Sequence, residues 1–140
     1  MTYLAVYRLL TEYLPDKYDI ECTFVDSSNL EEVKTAIRPN TKLIHIETPG
    51  NPVINISYVE EIAKIAHSNN VLLSVDNTFA SLYNQRPTSL GADLSIESLT
   101  KYINGHGDAM GGAVLRKKAL IDKIRNEEWI FRCSFLWYSC

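Results

Sequence analysis

Short apolar runs recur along the chain, most of them rich in β-branched side chains and each broken by polar or turn-forming residues, a pattern expected of buried strands. Residues 20–25 (IECTFV), 42–47 (KLIHIE), 71–76 (VLLSVD), 93–98 (DLSIES) and 111–115 (GGAVL) read this way. Helical periodicity fills the gaps. In SYVEEIAKIAHS, residues 57–68, the side chains of Val59, Ile62, Ala63, Ile65 and Ala66 make one apolar stripe, and Ser57 with Glu60 has capping-box spacing. Ser28 and Glu31 repeat that spacing ahead of NLEEVKTAI, which Pro39 closes.

Strands alternating with helices predict an α/β fold with a mostly parallel sheet flanked by helices, because parallel neighbours need a crossover connection. No internal repeat or low-complexity linker divides the chain. In such open sheets ligands gather beyond the carboxyl ends of the strands. That rule directs attention to the segments after Glu47, Asp76 and Ser98.

Composition narrows the function class. At 140 residues the chain suits one core, and 46% apolar with 22% charged residues argues for a globular domain over a disordered, collagen-like or membrane one. Basic and acidic residues number 14 and 17, with no Lys/Arg block to follow a phosphate backbone, so a small molecule or a protein is the expected partner and not a nucleic acid. Cys22, Cys133 and Cys140 are too few and odd in number for a disulfide framework, which predicts a reducing compartment and hence the cytoplasm. The opening MTYLAVYRLLTEYLP is interrupted by Arg8 and Glu12 and reads as no signal peptide, and no run approaches the roughly 18 to 20 apolar residues of a membrane span.

Several positions could carry chemistry. Asp76 ends the apolar run VLLSVD, where a carboxylate is costly unless paired; it reads either as a turn cap or as an anion held against a cationic ligand atom. Lys101, in SLTKYINGH, is either a solvated surface lysine or, between the hydroxyls of Ser98 and Thr100 and near Gly105, an amine able to form a Schiff base beside a phosphate. Glu47-Thr48-Pro49-Gly50-Asn51-Pro52 is a rigid turn that could present the Asn51 amide at the same rim. His45, His106 and Asp108 match no metal-ligand spacing, and no metal is expected. Neither GxGxxG nor GxxxxGK[ST] occurs.

Taken together and in order, YRLLTEYLP, FVDSSNLEEVKTAIRPNTKL, ETPGNP, VDNTFASLYNQRP, LGAD and SLTKYINGHGD resemble the Cys/Met-metabolism family of pyridoxal-phosphate (PLP) enzymes, from about Tyr3 to Arg125. That family includes cystathionine β- and γ-lyases, methionine γ-lyase and cystathionine γ-synthase. The resemblance implies part of the large domain of a fold-type I PLP enzyme. It implies Lys101 as the lysine that carries the cofactor and moves protons, Asp76 as the partner of the pyridine nitrogen, and Ser98 and Thr100 as phosphate ligands. Asn51 would lie near the phenolic oxygen, and Tyr3 would stack on the ring and take acid-base work. The implied function is a carbon-sulfur lyase or transsulfuration enzyme acting on sulfur amino acids such as cystathionine by β- or γ-elimination, in a homo-oligomer.

Departures accompany the matches. Leu4-Ala5 follows Tyr3 where the family has Gly and a small residue, Ala5 stands where many methionine γ-lyases have cysteine, and Leu99 replaces the usual Ala. On this reading residues 1–126 are a partial PLP-binding domain and 127–140 a divergent or truncated tail, with the family's N-terminal segment and C-terminal domain absent. The other expectation is a non-catalytic remnant that acts, if at all, through subunit association.

Overall fold

The computed structural model describes residues 3–116, 120–122 and 124. Its centre is a four-stranded sheet in the order β1 (Leu43–Glu47), β2 (Leu72–Asp76), β3 (Leu94–Ser98), β4 (Gly112–Leu115). The first three strands are parallel and β4 runs antiparallel to β3. The mostly parallel α/β sheet expected from the alternating pattern is therefore present. Residues 127–140, expected to diverge, lie outside the described residues.

Residues 3–18 form a run of short helices: α1 (Leu4–Arg8), a π-helical turn (Leu9–Tyr13) and α2 (Leu14–Tyr18), ended by Asp19 in the left-handed region at φ 54°. The segment 20–25, expected as a strand, has no ladder pairing. Its side chains are used instead: Phe24 packs on Tyr7 with ring centroids 5.1 Å apart, and Val25 packs against the core. β-propensity marked residues that fit a half-buried surface, which is a weaker condition than a place in the sheet.

α3 (Leu30–Ala36) and α4 (Val59–Ser68) cover one face. Neither capping box forms. The Asp26 carboxylate takes both the N–H and the hydroxyl of Ser28, at 2.9 and 2.7 Å, so Asn29 caps α3 by accepting from the Glu31 and Glu32 amides. Ser57 donates its N–H to Thr48 Oγ1 and shares its hydroxyl with Ser27, so α4 starts after Tyr58 with no side-chain cap. In both cases a tertiary or turn contact won the serine that local spacing had assigned to the helix.

The core lies between α4 and the sheet. Val59, Ile62, Ala63 and Ala66 meet Ile46, Leu73 and Val75, joined by Val33 of α3. Ile62 and Leu73 are fully buried, each contributing about 1.5–3 kcal/mol relative to exposure. Gly91 is required where it stands: its φ is +96°, and a Cβ there would lie 3.0 Å from that of Ala63 on α4. Among the described residues no helix is long and apolar enough to cross a membrane.

Candidate active site

Glu47, Asp76 and Ser98 are the last residues of three adjacent strands, so their carboxyl ends form one rim. Register places Glu47 opposite Asp76 and Asp76 opposite Ile96, so side chains of Glu47 and Asp76 leave the same face of the sheet.

Asp76 is half-buried. Its Oδ1 accepts from the Thr78 N–H at 3.0 Å, the turn-capping role that a strand-end aspartate commonly takes. Its Oδ2 makes no hydrogen bond among the described residues, so one acceptor remains for a ligand. Thr78 Oγ1 in turn accepts from the Ser98 N–H at 2.8 Å, tying the loop after β2 to the end of β3.

Lys101 lies in the π-helical turn Leu99–Ile103 directly after β3, where its φ of −96° and ψ of −121° depart from helical values. Its side chain is exposed, and no ion pair reaches it among the described residues. These elements alone leave the Lys101 side chain open to solvent. The turn itself is anchored. Thr100 donates its hydroxyl to Gly111 O at 3.2 Å while accepting from Gly111 N–H at 2.9 Å, and Phe79 meets Tyr102 edge-on at 6.3 Å. A phosphate could accept a hydrogen bond from the Thr100 hydroxyl only after that clasp on Gly111 rearranges, whereas the Ser98 hydroxyl has no such partner among the described residues.

Asn51 and Tyr3 come to the rim through Glu47, which sequence reasoning did not single out. Glu47 Oε1 accepts from Asn51 N–H at 3.0 Å and Oε2 from Tyr3 N–H at 2.9 Å. Tyr3 is 57% exposed, and Asn51 is also open to solvent. The turn they flank is tight: a Cβ on Gly50 would fall 2.2 Å from Asn55 Oδ1.

A buried polar network supports the rim from beneath, also missed from sequence. Asn77 Nδ2 donates to Glu97 Oε1 at 2.7 Å, Gln85 Nε2 donates to Asn77 Oδ1 at 2.9 Å and to Thr48 O at 3.3 Å, and Ser95 also donates to Glu97. It links the ends of β1, β2 and β3. A glutamate inside the strand-like run DLSIES was the available clue, since a buried carboxylate needs partners.

The histidines have structural surroundings. His45 Nδ1 meets the Ser74 hydroxyl at 3.1 Å, and burial lowers the ring pKa below its ordinary 6.5 against the opposing pull of Asp76 and Glu47. Asn104 Nδ2 bridges the His106 carbonyl and Asp108. No three potential metal ligands cluster among the described residues.

An acceptor carboxylate, a primary amine and free or convertible hydroxyls on one rim suit a cofactor with a cationic ring nitrogen, an aldehyde and a phosphate. Fold and site thus define an α/β enzyme segment of the fold-type I, PLP-binding class. The chain belongs to the Cys/Met metabolism PLP-dependent enzyme family, whose family model matches residues 1–130. The cofactor of that family is pyridoxal 5'-phosphate. A canavanine gamma-lyase of Rhizobium leguminosarum bv. trifolii is 52% identical over 125 residues, covering 89% of this chain and 31% of that protein. An L-methionine gamma-lyase of Fusobacterium nucleatum subsp. polymorphum is 53% identical over 78% of this chain and 28% of that protein. The crystal structure of cystathionine gamma-lyase from Lactobacillus plantarum complexed with L-serine superimposes with a TM-score of 0.82 at 38% identity, covering 87% of this chain and 32% of that one. The chain thus spans about a third of the length of the relatives it matches.

Proposed function

We propose that a full-length enzyme carrying this segment is a PLP-dependent carbon-sulfur lyase, or a γ-replacement enzyme with related steps, acting on a sulfur amino acid such as cystathionine. The observation that carries this reading is the pairing, on successive strand ends of one rim, of a carboxylate at Asp76 whose Oδ2 has no partner among the described residues and a solvent-open amine at Lys101. Bound PLP supplies an electron-accepting ring that stabilises negative charge developing at the substrate. Lys101 would hold the cofactor through its Nζ and would serve as the base and acid that moves protons at the substrate carbons. Asp76 Oδ2 would accept from the ring nitrogen and favour its protonated form. Ser98 and, once its clasp on Gly111 opens, Thr100 would hold the phosphate, the Asn51 amide would bind near the phenolic oxygen, and Tyr3 would cover the ring and serve in acid-base steps.

The class of substrate rests on the relatives. Lyases for methionine, cystathionine and canavanine resemble this segment, and canavanine contains no sulfur, so a panel of all three with homocysteine is the informative substrate set. A homo-oligomer and a cytoplasmic location belong to the same proposal.

Borohydride reduction of the PLP-loaded full-length enzyme, followed by peptide mapping, tests the site. The pyridoxyl label is expected on Lys101, and Lys101→Ala should abolish both label and turnover. Label on Lys42 or Lys64 would overturn the assignment.

For the 140 residues alone, a second reading is favoured by the open sheet face, where Leu43 and Val114 are 50% and 41% exposed. An uncovered apolar face of this kind promotes association. Residues 1–140 expressed alone are expected to associate and to release little or no 2-oxo acid from cystathionine; turnover by a monomeric preparation would count against this.

A further inference from the structure

Glu47 and Asp76 are register neighbours on parallel strands and project side by side from one face. Like charges so placed destabilise a sheet unless each finds compensating donors. They find different ones. Both oxygens of Glu47 are engaged by backbone amides, Tyr3 N–H at 2.9 Å and Asn51 N–H at 3.0 Å, whereas Asp76 uses only Oδ1, on Thr78 N–H. Of the two carboxylates, only Asp76 keeps an oxygen without a hydrogen-bond partner among the described residues.

The Tyr3 contact has a second consequence. Residues 3–18 pack mainly on themselves, and among the described residues Tyr3 N–H to Glu47 Oε2 is the one hydrogen bond joining them to the sheet. Tyr3 is also the residue that opens α1, and Tyr7 N–H returns to Tyr3 O at 2.9 Å, so the direction of the helical run starts at this anchor. Asn51 lies on the opposite side of the same carboxylate. One side chain therefore sets the spacing between the tyrosine that would cover a ring and the amide that would meet its edge.

We propose that Glu47 is a positioning residue that holds Tyr3 and Asn51 at the rim through its two carboxylate oxygens and leaves Asp76 as the sole carboxylate facing the cofactor. The catalytic part of this proposal rests on the PLP reading of the rim; the clamp itself does not.

The test uses Glu47→Gln, which preserves shape but replaces one acceptor oxygen with a donor, and Glu47→Asp, which keeps the charge but is one methylene too short to span both amides. In a full-length enzyme carrying these residues, amide-resolved hydrogen exchange without cofactor should accelerate about tenfold or more at Tyr3, at Asn51 or at both in each variant, as expected for loss of a charge-assisted bond. With cofactor, Glu47→Gln should still take the borohydride label at Lys101 while kcat falls about tenfold. Because the effect acts through Tyr3, it should shrink in a Tyr3→Phe background. Parent-like exchange at both amides in both variants would overturn the clamp, and full additivity with Tyr3→Phe would overturn its route through the tyrosine. Absence of label at Lys101 in the parent enzyme would instead sink the PLP reading, with the exchange result still deciding the clamp.

Discussion

The two faces of the sheet have been put to opposite uses. On the face under α4, Ile46, Leu73 and Val75 are buried against Val59, Ile62, Ala63 and Ala66. On the other, Leu43, Leu72 and Val114 remain exposed, and between them run His45 with Ser74 and, at the rim, Glu47 with Asp76. The covered face has apolar partners on adjacent elements and holds this segment together. On the open face Glu47 and Asp76 stand at the strand ends, where a ligand can reach them, while Ser74 and His45 lie deeper and Leu43, Leu72 and Val114 stay exposed among the described residues. Stability and chemistry are thereby separated by the thickness of one sheet, and substitutions on alternate residues of the same strand should report on different properties.

The largest effect is expected on the covered face. Leu73→Ala removes a fully buried side chain between α4 and the neighbouring strands and should destabilise by about 2–5 kcal/mol, read as a fall in the urea midpoint. A loss of activity without that fall would break the division between the faces.

Asp76, three residues further along β2, should behave in the opposite way. In a full-length enzyme carrying this segment, Asp76→Asn retains a carbonyl oxygen for Thr78 N–H but cannot favour a protonated ring nitrogen, so proton removal from the substrate should slow about 30- to 1000-fold, equivalent to roughly 2–4 kcal/mol, while the urea midpoint stays near the parent's. Parent-like turnover would refute the electron-accepting arrangement.

A smaller effect should appear with pH. Burial holds the His45 pKa below 6.5, so the unfolded chain binds this proton first. Stability from neutral His45 is complete above about pH 7 and declines as pH falls through 6.5 toward the lower folded value. The sheet should therefore weaken as pH falls below about 7, and His45→Gln should flatten that slope. An unchanged slope would assign it to other groups. Asp93 acts in a lower range: burial raises its pKa, but the Leu73 N–H, His67 and Arg116 together leave it lowered, so its contribution is lost only on acidification below the usual carboxylate range.

The smallest effect is expected at Leu72, adjacent to Leu73 but on the open face. Leu72→Ala should change the stability of the 140-residue chain by no more than about 0.5 kcal/mol. The same substitution in a full-length enzyme sharpens the comparison: a cost of about 2 kcal/mol or more there would show that this face is covered by segments outside the present chain.

Periodicity was sufficient for the α4 stripe and for β1, β2, β3 and β4, because each of these elements answers to a repeat in its own residues. It also located the rim, since strand ends in an open α/β sheet are where the chain turns outward. Family resemblance selected Lys101, Asp76, Ser98, Thr100, Asn51 and Tyr3, and all six stand at or beside that rim or on the helix-opening turn bonded to it.

Other features depended on contacts between residues far apart in the chain. No local pattern distinguishes IECTFV from a paired strand, because pairing requires a neighbour with an open edge, and Phe24 and Val25 found side-chain contacts instead. Ser28 and Ser57 had the spacing of caps but were taken by Asp26, Thr48 and Ser27. Glu47 reads in sequence as the end of a strand before a turn; only tertiary structure brings Tyr3, 44 residues away, to its second oxygen. A hydrogen bond is specified by distance and direction between two groups, and sequence supplies the groups without the distance.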